Sequence, residues 1–117
     1  MDSREKKLLF DVLESGRSIR SWCGESDFGR YEADRQLRRA VEREFEIIGE
    51  ALNRLSRLNE ATATRISALP RIVGFRNRVI HGYDAIDDAA VWGIIQSHLP
   101  QLLSEAEILL RESGEAV

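Results

Sequence analysis

The sequence predicts an all-α fold, an antiparallel bundle of four to five helices, with residues 1–117 forming a single domain. Apolar residues recur at helical spacing along most of the chain, and no segment shows the alternation typical of a β-strand. The chain has two prolines, and its 117 residues are enough for one hydrophobic core. Helices joined by short loops therefore account for the whole length.

The first predicted helix begins at Asp2, whose side chain can form a capping box with Glu5. An apolar stripe then runs towards Trp22, and it consists of Leu8, Leu9, Val12 and Leu13. The segment GESDFG, residues 24–29, is predicted to be a loop.

The second helix has the clearest pattern and is predicted to start at Asp34. Its apolar residues recur every three or four positions, at Leu37, Val41, Phe45, Ile48, Leu52 and Leu55. Gly49 lies inside this helix, where glycine costs about 1 kcal/mol relative to alanine. We therefore expect another backbone to approach closely at Gly49.

The next two helices are short. One is predicted over residues 60–68, and the other starts at Pro70, which suits the first turn of a helix. This second helix should end near His81, since Gly82 can adopt the left-handed conformation that closes a helix.

The last helix is predicted to start at Asp87 or Asp88 and to be kinked at Pro100. Its inward positions are predicted to be Val91, Ile94, Ile95, Leu99, Leu102, Leu103, Ile108 and Leu109.

Four further residues are predicted to be structural. His98 lies two residues before Pro100 on the last helix, and Cys23 is expected to be buried or semi-buried. Trp22 and Trp92 are expected in the core or in an interface.

The composition excludes several classes of protein. No apolar run approaches the roughly 18 residues that cross a bilayer, and the N-terminus lacks a signal-peptide core. The single Cys23 excludes an internal disulfide and a thiolate metal site. We expect a cytoplasmic protein with no cofactor and no membrane partner.

Charge is distributed unevenly along the chain. The net charge is −3, yet the stretch 61–83 holds four arginines and no acidic residue, so the remainder carries −7. Such a basic patch fits a small anionic target such as a few phosphates. Alternatively, the arginines pair with carboxylates of other helices, a reading as good as the first for Arg65 and Arg71.

The segment FRNRVIHGYD, residues 75–84, gathers arginines, an imidazole and a phenol. On an ideal helix Arg76 and His81 lie about 140° apart and about 7.5 Å along the axis. Arginine binds phosphate bidentately and stabilises transition-state charge, while histidine transfers protons near neutral pH. One histidine provides too few ligands for a metal. Spacing alone, however, fits a purely structural role more often than catalysis.

Metal-free cleavage of RNA through its 2′-hydroxyl requires a base and an acid. One chain has a single motif histidine, His81. A two-fold dimer that joins two motifs in one cleft would supply both groups, so the chemistry predicts a homodimer.

The motif RNRVIHGY resembles the R-x-x-x-x-H-x-Y signature of HEPN-domain proteins, specifically the HepT-like toxins of HepT–MntA toxin–antitoxin pairs. REFEIIGEALNRL, residues 43–55, is similar to the second helix of that family. LPRIVGFRNRVIHGYDAIDDAAVW, residues 69–92, is similar to its motif helix and the start of its last helix. The resemblance covers most of residues 39–103.

The resemblance implies a homodimeric helical bundle with metal-independent endoribonuclease activity towards RNA. It implies that Arg76 binds phosphate, that His81 transfers protons and that Asn77 supports the site. It also implies that a nucleotidyltransferase antitoxin attaches AMP to Tyr83. Arg71 and Arg78 are expected to add positive charge for RNA phosphates.

A second function remains open at this point. A non-catalytic helical dimer could bind nucleotide through Arg76 and His81 and serve as an adaptor for a partner nucleotidyltransferase. Both functions predict a basic cleft, and only RNA cleavage separates them.

Overall fold

The structure, a computed structural model, describes residues 1–81 and 86–117, without the side chains of residues 79–81. The described residues form seven helices and no β-strand, which confirms the all-α fold. The helices are α1 (Ser3–Cys23), α2 (Phe28–Ala33), α3 (Arg35–Leu58), α4 (Glu60–Ala63), α5 (Leu69–His81), α6 (Asp88–Ser97) and α7 (Leu99–Glu112).

Helix α1 starts with the predicted capping box. The Glu5 backbone N–H donates to Asp2 Oδ1 at 2.9 Å, and the Asp2 backbone N–H donates to Glu5 Oε2 at 3.0 Å. Two amide groups that the first turn leaves without helical partners are thereby satisfied.

Helix α3 lies at the centre of the bundle, where it packs against α1 and α5, while α7 packs on α1. Its predicted apolar seam is buried from Val41 to Leu55, and Leu37 is half-buried. The core also takes Leu9, Val12, Leu13 and Ile19 from α1 and Leu102, Leu103, Ala106 and Leu110 from α7.

The predicted loop at residues 24–29 is shorter than expected, because α2 starts at Phe28. Asp27 caps this helix by accepting from the Arg30 backbone N–H at 2.9 Å. Tyr31 is fully buried, and its ring centroid lies 5.4 Å from that of Trp92 on α6. A six-residue helix is too short for a periodic pattern, and burial of one aromatic side chain stabilises it instead.

Trp22 is 44% exposed and lies outside the core. Trp92 packs against the core, and Cys23 is buried within the core.

The predicted helix over residues 60–68 is also shorter, ending at Ala63, and turns lead from there to α5. Arg65 lies in these turns and donates to both carboxylate oxygens of Glu112, at 2.6 and 2.8 Å. The alternative reading of Arg65, as the partner of a carboxylate on another helix, is therefore correct.

The predicted kink at Pro100 is a full break between α6 and α7. His98 lies at the junction, and Pro100 occupies the first turn of α7, where its missing N–H is not needed. Among the predicted inward positions, the prediction for Ile108 is wrong, because its side chain is 43% exposed. None of the described helices is long and apolar enough to cross a membrane.

Candidate functional site

Helix α5, which contains Arg76, is fixed to α3 by buried aromatic and aliphatic side chains. Ile72 and Phe75 are buried, and the Phe75 ring meets Phe45 of α3 edge to face, with centroids 5.5 Å apart. An aromatic pair of this geometry adds about 0.5–1.5 kcal/mol beyond the area it buries. Arg76 thus projects from a helix with a defined position.

The stem of Arg76 lies directly on Gly49 of α3. A Cβ built at Gly49 would overlap Arg76 Cβ, would lie 2.8 Å from Arg76 Cγ and 3.4 Å from the Ile72 carbonyl oxygen. The prediction that another backbone approaches closely at Gly49 is confirmed, since the Ile72 carbonyl oxygen is among the nearest atoms. The approaching segment is the helix of the motif.

The guanidinium of Arg76 is held by two neighbours. Its Nη2 forms an ion pair with Glu50 Oε2, and its Nη1 donates to Asn77 Oδ1 at 2.8 Å. Glu50 also accepts from Arg54 Nε at 2.9 Å, so its carboxylate lies between two arginines. Within the described part of the chain, Arg76 Nε is buried without a hydrogen-bond partner.

This arrangement leaves a positive group with a fixed orientation and unused donors. Within the described chain, Glu50 and Asn77 occupy two of the five N–H groups of the guanidinium and Nε–H is buried, which leaves one N–H on each Nη. The Arg76 side chain is 20% exposed and lines an open concavity of about 430 Å³. A partly desolvated guanidinium with free N–H groups suits the binding of a phosphate oxygen.

Comparison with known proteins identifies the family. The family model with the description "Ribonuclease HepT-like" matches residues 12–109, most of the chain. The chain belongs to the HepT-like ribonucleases. The match includes all of α3 and α5, and therefore Arg76 together with Gly49 and Glu50, which contact it.

Archaeal relatives support the assignment of this HepT-like chain. A Methanocaldococcus jannaschii protein named as a proposed RNase is 32% identical over 106 residues, 89% of this chain and 94% of the relative. A second such protein from that organism is 26% identical over 109 residues, 92% and 88% of the two chains. A Thermococcus cleftensis protein, whose name proposes ribonuclease HepT, is 28% identical over 113 residues, 93% and 98% of the two chains. No solved structure matches the chain significantly.

The side chains of two predicted site residues, His81 and Tyr83, are outside the described part of this HepT-like chain. The backbone of His81 ends α5, as predicted, but its side chain is not described. Tyr83 and the predicted helix-closing Gly82 are likewise not described. The convergence of Arg76 and His81 in one cleft stays a prediction.

Arg71 and Arg78 do not share the face of Arg76. Both are exposed and line a separate groove between α5 and α6, and neither forms an ion pair within residues 1–81 and 86–117. Phosphate binding by Arg71 and Arg78 stays a prediction.

Sequence reasoning missed Glu50. Its partner Arg76 lies 26 positions away, and a glutamate on a long charged helix gives no signal of such a contact. The adjacent Gly49 gave the available signal, because a glycine within an apolar helical pattern indicated a close contact there.

Proposed function

We propose that this chain is a metal-independent endoribonuclease toxin of a toxin–antitoxin pair. It cleaves cellular RNA at a site composed of two protomers, and a nucleotidyltransferase antitoxin inactivates it by attaching AMP to Tyr83. The family match supports ribonuclease activity. The observation that carries the proposal is the set of contacts that position Arg76. Its aliphatic stem packs on Gly49, and Glu50 and Asn77 orient its guanidinium.

The proposed reaction needs no group from outside the two chains and their substrate. The ribose 2′ oxygen attacks the adjacent phosphorus, and His81 of one protomer accepts its proton. The partner's His81 donates a proton to the departing 5′ oxygen, which leaves a 2′,3′-cyclic phosphate and a 5′-hydroxyl. Arg76 binds the non-bridging oxygens through its unused N–H groups and stabilises the added negative charge.

RNA cleavage in EDTA tests the enzymatic proposal. We expect the wild-type protein to cut RNA in the chelator, and we expect Arg76→Ala and His81→Ala each to lower the rate at least about a hundredfold. Thermal unfolding of both variants controls for loss of fold. If well-folded wild type binds nucleotide or phosphate but cuts no RNA, the protein is the non-catalytic adaptor.

Modification of Tyr83 is tested separately. The chain is co-expressed with a nucleotidyltransferase encoded beside it, and its peptides are examined by mass spectrometry. We expect an AMP adduct on the peptide that contains Tyr83 and none in Tyr83→Phe. An adduct found only on other residues would contradict this role of Tyr83.

A further inference from the structure

A groove of about 820 Å³ lies beside α5, between that helix and the α6–α7 junction. Helix α5 packs against α3 through its buried residues, and Arg71, Gly74 and Arg78 line the groove on another face. Gly93, Ser97 and His98 line it from the other side. The groove is distinct from the concavity that contains Arg76.

Among the described residues, the charged side chains that line the groove are all basic. Arg71 and Arg78 stand seven positions apart, which on a helix is about two turns and about 10 Å. None of the described lining residues is acidic. At the rim, the carboxylate of Glu105 accepts hydrogen bonds from the backbone N–H and the hydroxyl of Ser67, both at 2.8 Å. The groove therefore favours an anionic ligand.

Two glycines leave backbone exposed in the groove. A Cβ at Gly74 or at Gly93 would meet nothing within 4 Å, unlike one at Gly49. Each glycine lies within a helix, where it costs about 1 kcal/mol relative to alanine. Because no contact within the described chain requires them, the bare backbone they provide suits a ligand that approaches closely from outside.

The groove also runs towards the motif histidine. Position 81 follows Gly74 by seven residues, so both backbone positions fall on the same face of α5. A strand lying on Arg71 and Arg78 is therefore directed to the end of α5 where His81 is located.

We propose that this groove binds the ribose-phosphate backbone of single-stranded RNA beside the cleaved bond, with Arg71, Arg78 and His98 contacting successive phosphates. The proposal rests on the proposed ribonuclease function and assigns a path for its substrate. A second copy of the chain fits the groove less well. A two-fold interface would bring this patch against its own copy, and none of the described residues that line the groove is acidic and able to neutralise its arginines there.

The test uses Gly93→Glu with Gly93→Gln as its matched control. The two side chains have nearly the same shape, and the open space at this position lets both fold, which thermal unfolding checks. The probe is a fluorescein-labelled single-stranded RNA with 2′-O-methyl groups throughout, which cannot be cleaved. We expect the Glu variant to bind it about tenfold more weakly than the Gln variant, with a shallower dependence on salt. Gly74→Glu and Gly74→Gln repeat the comparison from the other side of the groove.

Two results would overturn the proposal. One is equal RNA affinity of the Glu and Gln variants at both positions. The other is a change of oligomeric state in Gly93→Glu, measured by analytical ultracentrifugation, without a change in RNA affinity, because the groove would then be an interface between copies.

Cleavage in EDTA separates failure of this proposal from failure of the ribonuclease function. Wild-type protein should cut both a dinucleotide and a long RNA, and Gly93→Glu should cut the long RNA with a raised KM and an unchanged kcat. If the wild-type protein cuts neither substrate, the ribonuclease function fails. If it cuts both and Gly93→Glu matches it on the long RNA, the groove proposal alone fails.

Discussion

Gly49 and Glu50, which adjoin on α3, hold different parts of Arg76. Gly49 makes room for its aliphatic stem, and Glu50 binds its guanidinium. Because the two contacts are separate, substitutions at the two positions should affect activity and stability differently.

Alanine at position 49 should displace Arg76. Its Cβ would overlap the Arg76 stem, and overpacking of this kind costs about 1–3 kcal/mol, against about 1 kcal/mol gained in helix propensity. We expect Gly49→Ala to lose RNA cleavage at least about tenfold while its stability changes little or falls. Gly74→Ala is the control for stability alone, because the same change in open space should raise the free energy of unfolding by about 1 kcal/mol. Full activity in Gly49→Ala would contradict this account of Arg76.

Removal of Glu50 should affect cleavage more than stability. The Glu50–Arg76 pair is partly exposed, and pairs of this kind contribute about 0–1 kcal/mol. We expect Glu50→Ala to leave the unfolding midpoint within a few degrees of wild type while kcat falls, because the guanidinium loses its fixed orientation. Glu107→Ala removes the pairs of Glu107 with Arg17 and Arg111, away from the concavity that contains Arg76, and should leave kcat unchanged. Equal kcat values for the two variants would show that Glu50 does not position Arg76.

At the scale of helices, the contact of α2 with α3 and α6 contains a buried carboxyl group. Burial raises the pKa of Glu42 above its usual value, although the guanidinium of Arg39, at 3.1 Å, opposes the shift. The buried Tyr31 beside it has no hydrogen-bond partner for its hydroxyl within the described chain, and burial, followed by the charge of Glu42, also raises its pKa.

The raised pKa of Glu42 predicts a dependence of stability on pH. The folded protein binds this proton more tightly than the unfolded chain, so the free energy of unfolding falls as pH rises from the usual glutamate pKa to the folded value. We expect Glu42→Gln to be more stable than wild type at neutral pH, with the difference disappearing in acid below the usual pKa. Urea unfolding across pH measures this difference. Glu46→Gln, which alters a more exposed pair, is the control, and an equal effect in both variants would exclude burial as the cause.

The helices differ in how far sequence predicts them, and the difference has a physical basis. Helix α3 carries a periodic seam, and its start at Arg35, capped by Asp34, was predicted within one residue. Helix α2 depends on the contacts of Phe28 and Tyr31 with Trp92 of α6, and the break at His98 depends on how α6 and α7 pack. Both are tertiary effects that a local pattern does not contain. In the site, the motif identified Arg76, whereas its partner Glu50 depends on the packing of α5 on α3.

At the scale of the whole molecule, the described chain presents Arg76 and the α5–α6 groove on different sides of α5. One chain offers a single motif histidine, while cleavage through the 2′-hydroxyl requires two proton transfers. A homodimer with both copies of His81 in one cleft satisfies this requirement, and it predicts that the two copies act together.

Mixing wild-type and His81→Ala chains tests that prediction. If a working site needs both histidines, a hybrid dimer is inactive, and activity follows the square of the wild-type fraction. After subunits exchange through unfolding and refolding at constant total protein, an equal mixture should retain about a quarter of full activity rather than about half. The same mixture assayed before exchange is the control and should retain about half, because each wild-type dimer is still intact. A linear decline after exchange would mean that each chain cleaves RNA by itself, since one His81 would then be sufficient.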